Sequence, residues 1–124
     1  MAHSYWAEQL DIGKIEQSEV LDPKTGFGGG VLNQMACIPD GPFKDYTLHT
    51  GPGFSNTPHC IQRNLVNGPT YGARQEYIDY CYKFEKFELA WQCIEDAPHN
   101  SFHAGVGGEM LNPISSPGGL FFSP

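Results

Sequence analysis

A mainly α fold with long irregular loops is the class this sequence predicts, and three observations predict it. Hydrophobic residues make up 40% of the 124 positions and aromatics 13%, so a packed core is expected rather than a disordered chain. With 15 Gly and 10 Pro, one residue in five is a backbone punctuator, which keeps regular elements few and loops long. The only long stretch free of both is Ala73 to Asp96, 24 residues of helix-forming text. The length suits one domain and is too short for two.

From the N-terminus, residues 1–22 are polar and mixed, and His3 lies in a tail that should fray. "SEVLDP" suggests a short edge strand or an extended segment stopped by Pro23. "KTGFGGG" reads as a loop: its glycines neither follow a strand nor open a helix, so it lacks the context of a phosphate cradle. The text from Cys37 to Pro69 is loop-like, with one strand expected in "FKDYTLHT", where Tyr46 and Leu48 alternate with polar neighbours. His49 and His59 fall there without ligand-like spacing and read as structural or surface residues.

Ala73 to Asp96 reads as one long helix, or two with a break near Lys83 to Glu88. Tyr77, Cys81, Phe84 and Glu88 mark one line, and Ile78, Tyr82, Leu89 and Cys93 extend the apolar coverage to a neighbouring one, an aromatic stripe expected to be core. Pro98 then suits the first turn of a further helix, where its missing N–H costs nothing. On that helix His99 and His103, four apart, share one face and can aim at one ion. Neutral imidazole is a good ligand for copper, zinc, nickel and iron, but two imidazoles do not complete a site. By this reading alone Glu95 or Glu109 would be the third ligand of a single-metal site. Gly107 and Gly108 should end the helix at once.

The bulk properties exclude other classes. The formal net charge is −7 with seven Lys plus Arg and no basic run, which argues against nucleic-acid binding. No apolar run approaches a membrane span, and the N-terminus lacks the apolar region of a signal peptide, so the compartment stays open. The cysteines, at 37, 60, 81 and 93, form no C-x-x-C pair. Two disulfides or free thiols both remain open, with three possible connectivities.

"PHNSFHAGVGGEMLNPISSPG" resembles the second-copper region of the tyrosinase family, in particular its fungal tyrosinase-like members. "LDPKTGFGGG", "IPDGPFKDYTLHTGPGF", "HCIQRN" and "FELAWQCIEDAPH" resemble, in order, segments those proteins carry between their two copper motifs. "SYWAEQLD" is similar to the segment following the first-copper helices, so the resemblance runs roughly from Tyr5 to Phe121. It implies a helical-bundle domain with two coppers, each held by three histidines. It also implies an activity that hydroxylates phenols and oxidises catechols to quinones. By resemblance, His99 and His103 are the first two ligands of the second copper. Asn100 matches the position that orients a water able to deprotonate a phenol, and Glu95 is the candidate acidic partner of that water.

The departures shape the expectation as much as the match. The first-copper histidines would lie upstream of "SYWAEQLD", and "SPGGLFFSP" lacks the Asp-Pro and His-His of the family's last ligand helix. Residues 1–124 are therefore expected to be a partial tyrosinase copper-binding domain: the segment between the copper motifs plus the start of the second. It would be an incomplete fragment of the di-copper bundle, truncated and inactive alone. An apolar patch around Phe84, Phe87, Trp91 and Phe121 should be left open and favour self-association. The expected substrate is a phenolic small molecule. Competing expectations are a non-enzymatic, disulfide-stabilised interaction module and a single-metal-binding remnant.

Overall fold

The computed structural model describes residues 5–51 and 54–114. His3 and Phe121 lie outside the described residues. The chain is mostly helical; the described residues form four α-helices and two small two-stranded sheets joined by 3-10 turns and loops. The helices are α1 (Asn67–Thr70), α2 (Gln75–Cys81), α3 (Phe87–Ile94) and α4 (Asn100–Val106). The strands are β1 (Ala36–Cys37), β2 (Thr47–Leu48), β3 (His59–Cys60) and β4 (Gln62–Arg63). β1 pairs antiparallel with β4, and β2 with β3, setting Leu48 opposite His59.

The main core gathers Ile15, Leu21, Leu65, Ala73, Phe102 and Val106, with Trp6, Ile12 and Met110 packed against it. Phe102 on α4 is its largest member, and the edge of Trp6 meets it at 5.0 Å between ring centres. Asp11 fixes that indole: its carboxylate accepts from Trp6 Nε1 and from Ser18 Oγ, both at 2.6 Å. The N-terminal segment is also tied to α1, since Thr70 Oγ1 accepts from Gly13 N–H and Asn67 Oδ1 from Ile15 N–H. A smaller core of Ile38, Leu48 and Ile61, with Phe43 against it, sits under the strands. The strand expected in "FKDYTLHT" is β2, and Leu48 is its buried residue.

Ser18 to Asp22 is not a strand. It forms a 3-10 turn, Glu19–Leu21, because the Ser18 side chain caps the Val20 N–H and so favours a helical turn. The glycine-rich loop wraps a cation: Arg63, 3% exposed, donates through Nη1 to the carbonyls of Gly28 and Gly29. Asp40 accepts from Gly29 N–H at 2.7 Å and adds the compensating charge. Burial lowers the Arg63 pKa to about 10 despite Asp40.

The Ala73–Asp96 region resolves as two helices, with the break at 82–86. Cys81 and Cys93 form a disulfide across that hairpin, and Cys37–Cys60 joins β1 to β3, so all four cysteines are paired. The aromatic stripe is not core. Only Cys81 of it is buried, while Tyr77, Tyr80, Tyr82, Phe87, Leu89 and Trp91 are exposed and Phe84 half-buried. The physical reason is coverage: α2 and α3 fold on each other through the disulfide, and nothing among the described residues overlies their outer face.

The helix also does not restart at Pro98. Glu95–His99 is a π-helical turn that runs on from α3 into α4, and Asn100 N–H reaches back five residues to Glu95 O. The wider turn accommodates the proline, which has no N–H and whose ring would crowd an α-helical carbonyl. Ser101 Oγ donates to the Ala97 carbonyl, taking up an acceptor beside the bulge.

Candidate metal centre

α4 is the shortest route from the core to the site. Phe102 and Val106 face inward and are buried, so His99 and His103, one turn apart, fall on the outer side. Their ring centres are 4.6 Å apart with planes tilted by 49°. Both rings line a cavity of about 350 Å³, together with Asn100, Ala104, Met110, Leu111 and Pro113.

The pair is oriented rather than merely adjacent. His103 Nδ1 stands 2.6 Å from the Met110 carbonyl. A carbonyl only accepts, so the proton of the neutral ring sits on Nδ1 and the lone pair on Nε2. A ligating imidazole commonly has its other nitrogen tied in this way. Burial lowers the His99 pKa from the ordinary histidine value, the neighbouring His103 lowers it further, and Glu95 raises it in part. His99 is thus held toward the neutral form that a metal requires.

Gly107 ends α4 at φ 63° and ψ −158°, and its N–H bonds to the His103 carbonyl at 2.9 Å. The carbonyls of Gly105 and Val106 accept from Val66 and Asn64 N–H, so the helix end is satisfied by the strand region. A Cβ on Gly107 would lie 2.6 Å from Asn64 O, and one on Gly108 2.0 Å from Gln62 O. The glycine pair lets the 3-10 turn Gly108–Leu111 pack directly on the backbone around β4, carrying Met110 under the histidines.

Asn100 lines the cavity beside His99. Glu95 lies one turn upstream on the π turn, exposed and close enough for its charge to reach His99. Glu109 is not beside the pair. It is buried, 7% exposed, with Oε1 3.4 Å from His59 Nε2. Neither glutamate completes a three-ligand site: among the described residues, no group of three or more His, Cys, Asp or Glu side chains is placed to hold a metal. The two imidazoles, one with its tautomer fixed, fit two positions of a copper site.

The family model described as the common central domain of tyrosinase matches residues 1–123. The chain belongs to the tyrosinase family. That family is copper-dependent and acts on phenolic compounds. The chain is 25% identical to the tyrosinase-like protein phomQ2 of Diaporthe leptostromiformis over 135 residues, covering 95% of this chain and 33% of that protein. It is 27% identical to the tyrosinase ustQ of Aspergillus flavus over 134 residues, covering 95% and 36%. The tyrosinase-like protein phomQ1 of Diaporthe leptostromiformis is 28% identical over 137 residues, covering 86% and 33%. The chain thus spans about a third of the length of the curated relatives it matches. No solved structure matches it. Met110, whose carbonyl orients His103, was not a candidate from the sequence, because a backbone acceptor leaves no mark on residue identity.

Proposed function

We propose that these 124 residues form part of a tyrosinase-type copper domain, the stretch between the two copper motifs and the start of the second. In this reading they contribute a half-site for one copper of a phenol or catechol oxidase. His99 and His103 are two of its ligands. The observation that carries the reading is the oriented pair: two rings on one face, with His103 Nδ1 on the Met110 carbonyl. Copper, when bound with its full ligand set, supplies the dioxygen chemistry that hydroxylates phenols and oxidises catechols. The chain's own residues handle the proton. Asn100, in the cavity wall, orients a water toward a phenol hydroxyl, and Glu95 is the acidic partner of that water.

With five histidines in all, the 124 residues do not contain the six that a type 3 copper pair requires. The remaining ligands come from polypeptide outside this sequence, and this stretch by itself is not a competent oxidase. The test is an anaerobic Cu(I) competition titration of the 124-residue protein with His99→Ala and His103→Ala. Each substitution should weaken binding at least tenfold, and two variants that bind as tightly as the parent would overturn the assignment. Catechol oxidation well above that of free copper would overturn the incompetence of the lone stretch.

The exposed aromatic face around Phe87 and Trp91 supports the expected self-association, which sedimentation at rising concentration reads directly. The two disulfides favour a second reading, a non-enzymatic interaction module stapled by its cysteines. It requires that both histidine substitutions leave stability and partner binding unchanged with and without copper.

A further inference from the structure

We infer that Glu109, held against His59, is a positioning residue for His103: it pins the turn whose Met110 carbonyl fixes the His103 ring. The inference rests on the reading of His103 as a copper ligand.

The Met110 carbonyl belongs to a four-residue 3-10 turn, Gly108–Leu111. Its internal bonds are Met110 N–H to Gly107 O at 3.1 Å and Asn112 N–H to Glu109 O at 3.0 Å. So short a turn, entered through a glycine pair, is placed by its side chains: Met110 packs against the main core, and Glu109 reaches the strand region. Glu109 points away from the copper ligands, and its carboxylate meets His59 on β3 at 3.4 Å. His59 is itself held, with Nδ1 2.6 Å from the Thr57 carbonyl, and Cys60 beside it is bonded to Cys37. The chain of contacts runs from the disulfide-anchored strand through His59 and Glu109 to Met110 and the His103 ring.

Space filling does not account for a carboxylate here. Burying one is costly unless it is paired, and an apolar side chain of similar volume would pack at least as well. What a buried charge facing a fixed imidazole adds is a defined position. The Glu109–His59 contact at one end of the turn, an ion pair when His59 carries both ring protons, sets where the carbonyl at the other end stands. Neither His59 nor Glu109 touches the cavity, so both act only through Met110.

The test uses the metal-free 124-residue protein and the histidine ring nitrogens read by long-range proton–nitrogen NMR. In the parent, His103 should be a single tautomer protonated on Nδ1. In Glu109→Ala the two ring-nitrogen shifts of His103 should converge as the tautomers average, and Glu109→Gln, which can still bond His59, should restore them. His59→Gln changes only the partner and carries the test if Glu109→Ala does not fold. Cu(I) affinity should fall about tenfold in Glu109→Ala, as expected when an outer-shell partner of a ligand is lost. A His103 ring that keeps the parent tautomer in both Glu109→Ala and His59→Gln overturns the proposal. If the tautomer responds but neither parent nor variants bind copper, the positioning stands and the copper reading falls.

Discussion

Gly107→Ala is the sharpest test of how the helix end builds the site. At φ 63° and ψ −158°, Gly107 occupies a backbone region that is essentially closed to residues with a Cβ, at a cost of about 1–3 kcal/mol. The new methyl would also lie 2.6 Å from Asn64 O and 3.1 Å from Asn64 Cβ, so the backbone must shift, a further overpacking cost of about 1–3 kcal/mol. Together these give about 4 kcal/mol, a large share of the roughly 5–15 kcal/mol that holds a domain. The control is Gly68→Ala, an exposed position of α1 where a Cβ meets nothing within 4 Å; because Pro69 follows and offsets the helix-propensity gain, the substitution should change stability by less than about 1 kcal/mol. Urea unfolding under oxidising conditions measures both. With a slope of about 2 kcal/mol per molar, Gly107→Ala should lower the midpoint by about 2 M. A Gly107→Ala midpoint within about 0.5 M of the parent, at unchanged slope, would show that the close approach to Asn64 is not as tight as drawn.

Three further outcomes follow from the same geometry. Reducing the disulfides should cost about 3 kcal/mol each by loop entropy, slightly more for Cys37–Cys60, separated by 23 residues, than for Cys81–Cys93, separated by 12; single Cys-pair serine variants in urea separate the two. Burial raises the Glu8 pKa to about 7, so the folded state binds the extra proton between about pH 4.5 and 7. Its contribution is complete below pH 4.5 and lost as pH rises through 7, and Glu8→Gln should flatten the pH dependence of the unfolding midpoint across that window. His99 should titrate below the ordinary histidine value in metal-free NMR, His103→Gln should raise its midpoint, and Glu95→Gln should lower it. The opposite order would place the two neighbours' charges wrongly.

Local patterns carried the parts of this fold that depend on chain neighbours. The helical stretch, with a break as one of its two readings, the i, i+4 histidine pair and the glycine stop were legible, because periodicity and backbone freedom are written residue by residue. Features set by distant partners were not. The cysteine spacing left three connectivities open, and only the approach of β1 to β3 and of α2 to α3 selects one. Arg63 carries no local sign that it will be buried under the glycine-rich loop. Glu109 was a candidate ligand on sequence proximity alone, but the turn after Gly107 and Gly108 sends its side chain toward His59.

The π turn at Glu95–His99 sets which face of the helix beyond it meets the cavity. Extending α-helical periodicity from Trp91 through Pro98 assigns His99 a face relative to Phe87 and Trp91 by counting 100° per residue. A π turn takes up one extra residue, so everything beyond it is rotated back relative to that count. α4 therefore presents Phe102 to the core and His103 to the cavity, beside His99 at the end of the π turn, while Phe87 and Trp91 on α3 stay exposed. Proline is the cause of the offset: at 98 it cannot donate to Ile94, and the bond that closes the turn runs from Asn100 to Glu95 instead. Pro98→Ala should permit an ordinary α-turn and rotate the pair out of register with Met110. The His103 ring would then lose its fixed tautomer while overall helicity rises, a combination that a simple loss of stability would not produce.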